Sequence, residues 1–164
     1  MTVLRSFRTR PGDISGAEVD RMALALAALR ILAGVIWLAN LTWKLPPDFG
    51  RHDPEGLLYN FQRAARYAVI GPLKDLASDQ FIPHFTVYGW LVFLIELTAG
   101  VLLTLGVATR IGAAISTVQA TVITLLVVEA PHEWLWTYVM LIVLNVLPLV
   151  VTSDARLSLS RRRW

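Results

Sequence analysis

From Phe85 to Val107 the chain carries one acidic or basic residue, Glu96. Crossing a bilayer takes roughly 20 apolar residues of α-helix. A stretch of this length therefore reads as a membrane span rather than a buried core helix. A carboxylate inside it costs on the order of 3 kcal/mol even on the lenient insertion scale, unless something compensates the charge. Three more apolar segments extend the pattern, at 22–43, 111–128 and 134–151. With 55% hydrophobic and 16% charged residues over 164 positions, the composition is that of a polytopic membrane protein. The first segment reads as a retained span rather than a cleavable leader: Arg30 interrupts its apolar run, and no small-residue cleavage site follows.

The fold expected is an all-α integral membrane four-helix bundle. Its parts are an N-terminal segment (1–21), a membrane domain (22–152, spans 22–43, 85–107, 111–128 and 134–151), an outer loop (44–84) and a basic tail (153–164). Orientation follows from the arginines. Arg5, Arg8, Arg10 and Arg21 precede the first span, Arg110 sits in the turn after the second, and Arg156, Arg161, Arg162 and Arg163 follow the fourth. The turn "EAPHEW" between the last two spans has no basic residue. The positive-inside rule then places both termini in the cytoplasm and loop 44–84 outside; the membrane expected is a bacterial plasma membrane. The basic balance is thus a topology signal, and no nucleic-acid partner is expected.

The outer loop carries a helix signal. In "DPEGLLYNFQRAARYAV", Asp53 stands as an N-cap and Pro54 at the first helical position. Leu58, Phe61, Ala65 and Val69 follow at helical spacing. This predicts a helix over 54–69 capping the outer mouth or packed on the ends of the spans, with a shorter helix after Pro72.

Counting from the inner ends at ~1.5 Å per residue puts Arg30, Glu96, Gln119 and Asn145 all about 12–15 Å deep, one from each span. The expectation is a buried Arg30–Glu96 ion pair within a polar layer completed by Gln119 and Asn145. Two readings follow. One is a head-group site for a quinone, with Glu96 taking a proton. The other is a pair that only fixes helix order. Outside, Lys44 and His132 suit an anion, and Trp136 belongs to the same aromatic-rich end, where Trp and Tyr also simply mark the interface. His52, His84 and His132 form no i,i+4 pair and no HExxH, so no metal is expected. The absence of cysteine excludes disulfides, iron–sulfur clusters and thiol nucleophiles. Gly100, Gly106 and Gly112 suit close helix contact.

"LRILAGVIWLANLTWKLPPDFG", "FLIELTAGVLLTLGVATRIGA", "APHEWLWTY" and "ARLSLS" resemble the DoxX-like membrane proteins over about 29–159, and within them most the DoxD type, the small subunit of thiosulfate:quinone oxidoreductase. The features shared are Arg30, Lys44, Glu96 and the Gly106–Thr109–Arg110 turn. The resemblance implies a four-helix bundle with both termini inside. It implies quinone as the cofactor and a protein partner subunit to supply the sulfur chemistry. The alternatives are a non-catalytic membrane adaptor, with membrane lipid, partner proteins or a second copy of the chain as its contacts, and a small transporter.

Overall fold

The computed structural model describes residues 16–151, and every regular element there is helical. The expected N-terminal segment up to residue 15 and the basic tail from 152 lie outside the described residues. Helix α1 covers Gly16–Asn40, α4 Phe85–Leu105, α5 Thr109–Val127 and α6 Leu135–Val150. Between α1 and α4 lie α2 (Leu57–Tyr67), α3 (Gly71–Leu76) and a π-helical turn, Ala77–Phe81. Three stretches are long and apolar enough to cross a membrane: Asp20–Asn40, Phe85–Leu105 and Thr109–Val127. α6 is apolar but shorter, 16 residues or about 24 Å.

Chain reversals follow from local chemistry. α4 stops at Gly106, whose φ of +70° is the left-handed C′ conformation that glycine adopts without strain. Ala108 continues the reversal at φ +47° before α5 begins. α5 and α6 are joined through a seven-residue connection in which His132 also takes positive φ. α1 packs on α4 and α6, α4 on α5, and α5 on α6, so the four long helices close a ring.

Small residues set the closest approach in that ring. A Cβ on Gly34 would lie 2.6 Å from the backbone nitrogen of Thr104 and 2.8 Å from the carbonyl oxygen of Gly100. Gly100 in turn faces the Leu38 side chain, and Gly112 faces Leu102. At Gly34 backbone meets backbone, and at Gly100 and Gly112 a leucine side chain fills the place of the missing one, a usual means of helix association in lipid.

The helix expected in loop 44–84 begins later than the sequence suggests. Its N-cap is Gly56 rather than Asp53, with no side-chain cap. Gly50 and Gly56 pass too closely for either to carry a side chain, so residues 53–56 form a turn instead of the first helical turn. The buried stripe is correspondingly Leu57, Phe61, Ala64 and Ala68, while Val69 is exposed. α3 begins with Pro72 in its first turn, as expected. Ala64 and Ala68 pack with Leu126, Val127 and Tyr138 over the ends of α5 and α6, while Leu57 and Phe61 cluster with Phe49 and Phe85. One clamp secures this contact. Arg63 Nη2 lies 2.6 Å from Glu133 Oε1 and donates to the Pro131 carbonyl at 3.2 Å. The Tyr138 hydroxyl donates to Glu133 Oε2 at 2.5 Å.

Candidate functional site

Glu96 faces inward and is fully buried, but its partner is Lys44, not Arg30. Lys44 Nζ donates to both carboxylate oxygens, at 2.6 and 2.5 Å, with Glu96 0% and Lys44 4% exposed. The side chain of Gln119 from α5 also hydrogen-bonds the carboxylate. The ammonium lies 4.4 Å from the centroid of the Trp43 ring, so an aromatic face covers the cation. Glu96 is nine residues from the last residue of α4 and eleven from the first. It therefore sits close to mid-depth, about 14–17 Å from either end.

The chain delivers Lys44 there by an irregular route. α1 ends at Asn40, and residues 41–50 continue its course along α4 as irregular chain, with Lys44 opposite Glu96 and Phe49 opposite Gly89. Leu41, Lys44 and Phe49 in this segment are buried. The Phe49 ring fills the space that Gly89 leaves: a Cβ there would lie 2.8 Å from it. Phe49 also packs edge-on to Trp90, at 5.3 Å between ring centroids, and to Phe85, at 6.5 Å. Non-helical backbone at membrane depth is tolerated only where protein surrounds it, and these contacts supply that enclosure.

The correction to the pair has a geometric cause. Gly34 lies opposite Gly100–Thr104, and Leu38 opposite Gly100, so α1 and α4 run antiparallel with Arg30 level with Gly106. The depth count took Arg21 as level with Gly106, which is nine residues out. Arg30 instead donates to the Leu103 carbonyl at 2.5 Å. That places its contact seven residues from Glu96 along α4, or about 10 Å. There its charge meets the negative end of the helix, where carbonyls lack intrahelical donors. A Cβ at Gly106 would meet its guanidinium, which would have to shift to make room.

Asn145 also leaves the expected layer. It is fully buried, but its Oδ1 accepts from Trp37 Nε1 at 2.9 Å, and its amide nitrogen donates to the Leu141 carbonyl at 2.8 Å. The Trp37–Asn145 bridge joins α1 to α6. Trp37, which is 1% exposed, went unnoticed in the sequence because an apolar span hides one more tryptophan easily. Ser116 was missed for a similar reason; it is buried and donates back to the Ala113 carbonyl of its own helix.

Of the residues singled out beforehand, the structure therefore brings together Lys44, Glu96 and Gln119. Arg30 and Asn145 each hold a separate helix contact. His132 and Trp136 are exposed, whereas Lys44 is buried against Glu96 rather than open to an anion beside His132. The chain matches no family model, no curated protein and no solved structure.

Proposed function

We propose that the chain is an integral membrane subunit of a quinone-linked oxidoreductase complex, of the DoxX-like kind its sequence resembles. It crosses a bacterial plasma membrane four times, with both termini in the cytoplasm, and a partner protein supplies the electron donor. The observation that carries this reading is the Lys44–Glu96–Gln119 group at mid-depth. Ionisable side chains inside a membrane are costly and mark proton or ligand paths by default. A carboxylate held between an ammonium and an amide can take up a proton when a reduced or oxidised ring docks beside it, and the ammonium stabilises the anionic form between turnovers.

A second reading is favoured by the same pair. Glu96 has no exposed surface, and Lys44 satisfies both its oxygens. A head group reaching Glu96 needs segment 41–50 to move. Without that motion the chain is a non-catalytic adaptor that holds a redox complex in the membrane.

Two measurements test these statements. Glu96→Gln keeps the shape of the side chain and removes its charge. In the catalytic reading, natively purified complexes containing this variant assemble with bound quinone but lose turnover. Full turnover with the Gln variant leaves only the adaptor. For topology, a cysteine introduced at His132 is expected to react with an impermeant reagent in intact cells. Reaction only after permeabilisation would reverse the orientation.

A further inference from the structure

At the outer end of α4 lies a cleft of about 450 Å³. Its size falls within the range of small-ligand sites, roughly 300–1,000 Å³. It has two kinds of wall. Ile82, Pro83 and Val87 form an apolar side, and Arg51, His84 and Thr86 a polar one. The Arg51 guanidinium is held in place: it stacks 4.6 Å from the Phe85 ring centroid, and Nη2 donates to Thr86 Oγ1 at 3.2 Å. Arg51 makes no ion pair with a carboxylate among the described residues. Asp48, three residues before it, is engaged elsewhere. Its Oδ2 accepts the backbone N–H of Arg51 at 3.0 Å, and its Oδ1 lies 3.5 Å from His52. Asp53 and Glu55 are exposed on the same loop and do not line the cleft.

Below the cleft, Val87, Leu91 and Leu94 are exposed by 66%, 50% and 51%. They recur at i, i+4 and i+7, so they form one outward stripe running from the cleft down α4. A positioned guanidinium at the top of an apolar stripe has the polarity of an anionic amphiphile.

We propose that this cleft seats the phosphate of an anionic phospholipid, with its acyl chains along Val87, Leu91 and Leu94. The Arg51 guanidinium donates to the phosphate oxygens, and His84 borders the same anion. The proposal rests on the membrane reading above, but not on the quinone.

The full chain, purified in mixed phosphatidylcholine–phosphatidylglycerol micelles, tests it by native mass spectrometry. The wild type is expected to retain phosphatidylglycerol in preference to phosphatidylcholine. Arg51→Gln should cut that retention about tenfold, the loss of one charge-assisted contact. Arg51→Lys keeps the charge without the forked donors and should fall between them, which keeps the test decisive if the Gln variant misfolds. Arg66→Gln removes the same charge from the exposed side of α2 and should change nothing. Equal losses in the Arg51 and Arg66 variants would reduce the effect to diffuse charge and overturn the site. So would an absence of preference in the wild type. Inorganic phosphate that binds without any retained lipid would overturn the lipid assignment. Release of the chain from membranes by alkaline carbonate would sink the membrane reading instead, a separate outcome.

Discussion

Lys44→Ala is expected to destabilise the protein by about 3–5 kcal/mol, the usual result of removing one partner of a buried ion pair. Glu96 would keep Gln119 as a hydrogen-bond donor, but one neutral amide does not neutralise a carboxylate at mid-depth. Glu96→Ala should cost a similar amount, because Lys44 is 4% exposed and has no water to turn to. The double variant Lys44→Met/Glu96→Met should recover most of the loss, since a well-packed apolar pair often replaces a buried ionic one without penalty. Unfolding in mixed micelles by a denaturing detergent measures all three. Wild-type stability in the Lys44→Ala variant would show that the ion pair carries no structural weight. The double variant also separates fold from function: if it folds and the complex still turns over, neither charge takes part in chemistry.

Trp37→Ala should rank beside it, at about 3–5 kcal/mol, the range for removing a large buried aromatic side chain. Trp37 packs with Ala33, Leu103, Ala113 and Ala120, so its loss opens a hole where α1, α4, α5 and α6 converge. Trp37→Phe divides this cost. It keeps most of the volume and deletes the donor to Asn145. Hydrogen bonds between membrane helices average about 0.6 kcal/mol and reach about 1.7, so the Phe variant should lose roughly 1 kcal/mol. If the two variants lose equally, the hydrogen bond outweighs the packing and the assignment of Trp37 to the core is wrong. The same detergent titration reads both.

The helices were legible because hydropathy and glycine punctuation are local properties. The expected spans at 85–107, 111–128 and 134–151 end within two residues of α4, α5 and α6. The ion pair was half legible. A lone carboxylate at mid-span must face inward to a partner, and Glu96 does. Which cation it meets depends on the axial offset between α1 and α4. That offset is set by how closely Gly34 can approach Gly100 and Thr104, a contact between residues far apart in sequence. Lys44 was misplaced because a lysine beyond an apolar run ordinarily marks the interface. Here segment 41–50 stays inside and continues along α4, anchored by Phe49 in the space at Gly89. Asp53 misled for a simpler reason: a capping residue is useful only if the chain is free to start a helix there, and the Gly50–Gly56 contact comes first.

The same offset has a consequence for the lipid around the protein. With Arg30 level with Gly106, the residues Met22 to Leu29 continue about 12 Å past the α4–α5 turn. Met22 and Leu24 in that extension are mostly exposed and apolar. Arg110 just beyond the turn is exposed as well, and it belongs in water. One face of the molecule therefore asks for a thick hydrocarbon layer and the neighbouring face for a thin one. Tilt of α1 or local thinning of the bilayer must absorb this hydrophobic mismatch, at fractions of a kcal/mol per ångström. Acyl-chain length thereby enters the energetics of this fold through the overhang of a single helix.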